Sequence, residues 1–207
     1  PDAGALFACA RGAGSWSASL WDEAAPLTRV RVDGASPVAQ ARVMESYESR
    51  HSDHSFAGRV RSAAGITAPS LRLDSQAKYG LLSRGDASVF MRFPPASYRE
   101  KIWDHAAGAL MVEEAGGRVS DAAGAPLDFS LGRWLDSMVG GIVAAPPQVH
   151  ASVVKAIREA GQAGGGGYGF TGSHLREVGR RAVLVSWLRL RWWASWGCQR
   201  AWRSLQS

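Results

Sequence analysis

From about residue 41 to residue 160, short apolar or alternating runs take turns with segments of helical period, and this alternation limits the chain most. Strand and helix patterns in turn build layered α/β domains, because each sheet face must be covered by helices. Residues 41–47 and 70–74, Ser88–Phe93, Arg118–Ser120 and Gly141–Ala145 read as strands. Between them, Ser52 or Asp53 is a suitable N-cap for a helix through Ala64, closed by Gly65. Residues 75–84 read as a second helix. Asp104 opens a third, carrying Ala107, Leu110, Met111 and Ala115 at helical spacing and stopped by Gly116-Gly117. Pro146 sets up a last helix carrying Val149, Val153, Val154 and Ile157. Residues 4–32 are different: two runs flank the turn Arg11-Gly12-Ala13-Gly14, and Thr28–Val32 alternates with period two, the pattern of a β-meander.

Charge divides the chain again. The net charge of +6 suggests a nucleic-acid partner only until it is located. Residues 1–165 hold 17 basic and 17 acidic side chains, whereas residues 166–207 hold seven arginines against one acid, Glu177. Five of the nine tryptophans fall in that last stretch, and the change begins at Gly164–Gly167. Residues 161–207 therefore read as a Gly-rich linker and a basic, Trp-rich tail, disordered or foreign to the fold; a basic-aromatic binding segment over Leu184–Trp202 is the competing reading. No run of about 18 uncharged apolar residues is present, so no membrane-spanning helix is expected. Cys9 and Cys198 are too few and too far apart for a disulfide framework or a zinc site. The start, Pro1-Asp2-Ala3-Gly4, carries neither an initiator Met nor a targeting peptide.

Three segments could carry chemistry. Leu73-Asp74-Ser75-Gln76-Ala77-Lys78-Tyr79 lies at a strand-to-helix junction. Free N–H groups there suit a phosphate, Ser75 adds a hydroxyl and Lys78 a charge one turn on. The plainer alternative is that Asp74 or Ser75 only caps the helix and Lys78 is solvated. In Glu100–Gly108, Asp104 precedes tiny residues and suits a carboxylate ligand for a hard cation, or again a cap. Arg50-His51-Ser52-Asp53-His54 has His-x-x-His spacing but no third ligand nearby, which argues against zinc and leaves His51 as a loop donor or a capping residue. Arg92 ends a strand within reach of an anion.

Taken in order, these segments resemble a known family. Trp103-Asp104-His105-Ala106-Ala107-Gly108, followed by Glu114-Ala115-Gly116-Gly117, resembles the C-terminal signature of the inositol monophosphatase superfamily. Leu73–Tyr79, Tyr98–Asp104 and Asp121–Phe129 narrow the resemblance to the plant and fungal 3′(2′),5′-bisphosphate nucleotidases, from about Ala3 to Glu159. The resemblance implies an α/β, layered sugar-phosphatase-type fold. Residues 1–40 would be a remnant of the N-terminal domain's sheet and 41–160 the C-terminal α/β phosphatase domain. It implies Mg²⁺-dependent hydrolysis of the 3′-phosphate of 3′-phosphoadenosine 5′-phosphate (PAP) to AMP. Substrate contacts carry over to His51, Ser75, Lys78, Arg92 and Asp104, with Asp104 also a Mg²⁺ ligand, and no further catalytic residue is assigned. The expected partner is a small nucleotide rather than nucleic acid or a membrane. The expected compartment is the cytoplasm or an organelle, chloroplast or mitochondrion. The family's Glu-Glu segment and Asp-Pro-Ile-Asp-Gly-Thr motif find no match here, so the chain is expected to be a truncated form, weak or inactive alone. The alternatives are an inositol polyphosphate or sugar phosphatase of the same superfamily, and a nucleotide-binding fragment without turnover.

Overall fold

The computed structural model describes residues 4–47, 52–95 and 97–163. Strands β1 (Ala5–Ala10), β2 (Gly14–Ser19) and β3 (Thr28–Val30) form an antiparallel three-stranded meander. Its first turn needs glycine: Gly12 and Gly14 have φ of +77° and +119°, in the left-handed region that side chains disfavour. The N–H groups of both glycines donate to the two carboxylate oxygens of Glu114, at 2.7 and 3.0 Å. The Ser15 hydroxyl donates to the Met111 carbonyl. The meander is thus fastened to the helix that carries Met111 and Glu114.

The second sheet has five strands in the order β5-β4-β6-β8-β7. In chain order the elements are β4 (Val43–Glu45), α1 (His54–Ala63), β5 (Leu71–Arg72), α2 (Ala77–Arg84), β6 (Val89–Arg92), α3 (Ile102–Glu114), β7 (Arg118–Asp121), β8 (Ile142–Ala145) and α4 (Pro147–Ala163). β4 runs parallel to β5 and β6, and β8 runs antiparallel to β6 and β7. The central strands β4, β6 and β8 are buried at every position, as apolar runs covered on both faces should be.

The period of two sorts their side chains. Met44, Phe90, Val119, Ile142 and Ala144 join Tyr79, Leu82, Ala109 and Val112 in one core on the α2/α3 side. Each such large side chain contributes about 1.5–3 kcal/mol by leaving water. The intervening positions face the other way, where Ser120 meets His150 of α4. Helices α1 and α4 pack together on that face, and α3 also packs on β1 and β2. The layers therefore run meander, α2/α3, five-stranded sheet, α1/α4.

Helices α2 and α3 approach closely at Gly108. A Cβ there would stand 2.3 Å from Tyr79 Cδ2, inside any allowed contact, so the tyrosine ring occupies the space glycine leaves.

Of the two N-caps expected for α1, Asp53 is the one used, accepting from the Phe56 N–H at 2.9 Å. Other sequence expectations need correction in detail. Helix α2 begins at Ala77, capped by Gln76 without a side-chain bond, so neither Asp74 nor Ser75 is its N-cap. Asp74 instead accepts from the Tyr47 N–H, tying the end of β5 to the end of β4. Helix α3 begins at Ile102, which puts Asp104 in its first turn rather than at its cap. The short strand expected over 70–74 pairs only at Leu71–Arg72. No helix among the described residues is long and apolar enough to cross a membrane. Residues 161–163, expected in the Gly-rich linker, instead complete α4, and the rest of the linker and basic tail, 164–207, lies outside the described residues.

Candidate functional site

The site grows from the parallel part of the sheet. The chain leaves β4 toward α1 on one face and leaves β6 toward α3 on the other. Adjacent parallel strands whose continuations part in this way open a crevice at their carboxyl ends, the usual ligand position in open α/β sheets. Arg92 is the last residue of β6, Ser46 follows β4, and Lys78 enters from the first turn of α2.

Lys78 is 2% exposed. Its Nζ donates to the Leu73 carbonyl at 2.7 Å and to the Ser46 hydroxyl at 3.2 Å, and lies 5.6 Å from the Phe90 ring centroid. Both acceptors are neutral, so neither cancels the ammonium charge. Burial, followed by the positive charge of Arg92, depresses the Lys78 pKa to about 8 against an opposing pull from Asp74. Two cations are thus gathered near the strand ends, an arrangement that favours an arriving anion.

Arg92 is buried too and is aimed by a chain of three side chains. Its Nε donates to one carboxylate oxygen of Glu100, and its guanidinium sits 5.6 Å from the Tyr98 ring centroid. The other Glu100 oxygen bonds His105 Nε2 at 2.9 Å, and His105 Nδ1 bonds the Tyr79 hydroxyl at 2.9 Å. Glu100 and His105 side chains are wholly buried. Burial pushes the Glu100 pKa up, but the bonds from His105 and Arg92 and their charges outweigh it, so the carboxyl is held below its usual range. Burial, then the Glu100 charge, pushes the Tyr79 hydroxyl far above its usual pKa, which keeps it protonated. An ionised carboxylate only accepts, so His105 Nε2 donates to Glu100 and, in the neutral imidazole, Nδ1 accepts from Tyr79.

Of the residues expected from sequence, Lys78 and Arg92 are brought together. Ser75 is exposed on the loop before α2, with φ of +66° and its hydroxyl accepting from the Ala77 N–H at 3.2 Å. That bond satisfies a donor at the start of α2 and leaves the hydroxyl proton for a ligand. Asp104 is half-buried in the first turn of α3, one turn from Glu100. His51 lies outside the described residues. Glu100, His105, Tyr79 and Ser46 were not singled out from sequence, although the first three stand inside the segments that were. Nothing local marks them, because each partner is supplied by a different element.

A divalent cation would need several hard oxygen donors. Among the described residues no group of three or more His, Cys, Asp or Glu side chains is placed to hold a metal ion. Asp104 offers one carboxylate, which does not make a Mg²⁺ site by itself.

The fold agrees with what known proteins show. The model of the Inositol monophosphatase family matches residues 3–162, and the chain belongs to that family. It is 46% identical over 157 residues to a 3′(2′),5′-bisphosphate nucleotidase of Oryza sativa, covering 76% of this chain and 43% of the rice protein. It is 44% identical over 158 residues to the 3′(2′),5′-bisphosphate nucleotidase of Emericella nidulans, covering 75% of this chain and 45% of that one. Against 3′,5′-bisphosphate nucleotidase 2 of Arabidopsis thaliana the identity is 40%, with 76% and 44% covered. The chain spans less than half the length of these curated relatives. Among solved structures, Mycobacterium tuberculosis SuhB superposes with a TM-score of 0.53 at 20% identity, over 75% of this chain and 54% of that one, and shows the shared mixed α/β fold.

Proposed function

We propose that this chain carries the nucleotide-holding part of a 3′(2′),5′-bisphosphate nucleotidase, a phosphoric monoester hydrolase acting on the 3′-phosphate of PAP. The observation that carries the reading is Lys78: an almost fully buried ammonium with only neutral partners, facing Arg92 across the strand ends. A phosphate brings Lys78 the negative charge that its neutral hydrogen-bond partners do not supply, while Arg92 keeps Glu100 on its other side. The names of the plant and fungal relatives support a bisphosphorylated nucleoside as the anion.

In this reading Lys78 and Arg92 grip the phosphate that is not cleaved, and Ser75 adds a hydroxyl donor from the loop. Holding the nucleotide away from the reacting centre positions the bond to be broken and separates a bisphosphate from a monophosphate. Mg²⁺ is the cofactor the resemblance implies. Asp104 is the one ligand the resemblance assigns to this chain, and among the described residues no group of three or more His, Cys, Asp or Glu side chains is placed to hold a metal ion, so the work assigned to this chain is binding and orientation.

The test is calorimetric titration of the full chain with PAP, AMP and inositol 1-phosphate, beside phosphate release from PAP with Mg²⁺ and an Asp104→Asn control. The expected result is that PAP and AMP, which share the uncleaved 5′-phosphate, both bind about tenfold or more tightly than inositol 1-phosphate, and that any phosphate release is weak and lost in Asp104→Asn. PAP binding no tighter than inositol 1-phosphate overturns the nucleotide reading.

A further inference from the structure

We propose that Glu100 is a positioning residue: it fixes the Arg92 guanidinium so that the terminal Nη groups meet a phosphoryl oxygen of the nucleotide. The inference rests on the reading above that Arg92 contacts nucleotide phosphate. It adds a residue, and a network behind it, that makes no contact with the ligand itself.

Four observations carry it. Glu100 binds Arg92 through Nε. Among the described residues no acceptor is paired with the two Nη groups, the edge of the guanidinium suited to forked contact with a phosphate. The second Glu100 oxygen is not left to water but is held by His105, and His105 by Tyr79. Finally, the far end of this network is rigid. Tyr79 is 1% exposed, packs edge-on to Phe90 at 4.9 Å between centroids, and fills the notch at Gly108. A guanidinium on a flexible stem loses less freedom on binding when one side is already tied to a fixed partner.

A carboxylate beside an anion site also has an electrostatic effect, and its sign is opposite. The Glu100 charge opposes a phosphate, so if charge were its whole contribution, removing it would tighten binding. The positioning account predicts something else. Glu100→Gln keeps the shape: the amide oxygen accepts from Arg92 Nε. Its NH₂ donates to His105 Nε2 once the imidazole proton moves to Nδ1 and the Tyr79 hydroxyl accepts it. Glu100→Asp keeps the charge but draws the carboxylate back by one methylene and breaks the bridge between Arg92 and His105.

The experiment is a titration of the full chain and these two variants with PAP, with folding checked by thermal melting. The Arg92 Nε–H resonance is followed by NMR and assigned with Arg92→Ala. The account expects the glutamine variant to bind within about twofold of the parent and to keep a slowly exchanging Nε–H. It expects the aspartate variant to bind about tenfold more weakly and to lose that slow exchange. Tighter binding by the glutamine variant, with the aspartate variant unchanged, overturns the positioning role and leaves a charge effect. If the aspartate variant does not fold, the glutamine variant alone decides, since the two accounts differ in its direction. A parent chain that keeps a protected Nε–H but does not bind PAP overturns the nucleotide reading, and with it the role of Glu100 toward a phosphate. A protected Nε–H with PAP affinity unaffected in Arg92→Ala does the same.

Discussion

His105 and His150 are both buried against the five-stranded sheet, one on each face, and their surroundings differ in kind. His105 stands between a carboxylate and a tyrosine, at the end of a network that reaches the buried Arg92. His150 bonds the Ser120 hydroxyl at 2.8 Å, with no carboxylate partner. Burial, followed by the nearby Arg118 charge, depresses the His150 pKa to about 4. One face of the sheet thus gathers charge and points it at the strand ends, while on the other His150 is kept neutral. The same residue type aims a guanidinium on one side and satisfies a hydroxyl on the other.

The comparison breaks most visibly at Arg92. Arg92→Met strands the Glu100 carboxylate in the interior and costs about 4 kcal/mol in denaturant unfolding, whereas Ser120→Ala on the other face costs about 1 kcal/mol. Equal losses would mean that the two networks do not differ in kind. Next comes pH. His150 has a folded pKa below its unfolded value of about 6.5, so the unfolded state takes up the proton first as acid is added. Its stabilising contribution is complete above about pH 6.5 and shrinks by about 3 kcal/mol on descending to pH 4. Unfolding curves of the parent and His150→Leu should converge over that window; parallel curves would show that the imidazole is not held neutral.

A third substitution tests the rigidity behind the Arg92 network. Gly108→Ala forces a methyl group against the Tyr79 ring and should cost about 2 kcal/mol while weakening PAP binding. A neutral result would show that α2 and α3 separate freely. The smallest effect is expected from Tyr79→Phe, which removes the last hydrogen bond of the network for about 1 kcal/mol and leaves the core packing intact.

Much of this fold is legible in the sequence, because strands β1, β2, β6 and β8 and all four helices follow local periods and turn residues. Gly65, Gly116 and the Asp53 cap fall where the local rules put them. Lys78 and Arg92 are legible as candidates because each ends or begins an element. The function of Glu114 is not: its carboxylate closes a hairpin a hundred residues earlier, at Gly12 and Gly14. The same holds for Glu100 and Ser46, whose partners come from other elements. Local reading also favours capping at Ser75 and Asp104, where the helices in fact begin elsewhere. A cap depends on the backbone angles at the junction, which neighbouring strands impose.

The central claim is that Lys78 is a buried cation held for a nucleotide phosphate. It is tested most directly by the PAP affinity of the parent chain and of Lys78→Met between pH 6.5 and 9.5. Below about pH 8 the ammonium is charged and binds the anion; above it the free protein gives up that proton, so the parent's affinity should fall. Lys78→Met, whose methylenes pack as before, should bind about tenfold or more weakly at pH 7 and show no fall through pH 8. Equal affinities and superimposable pH profiles for the two proteins would contradict the claim.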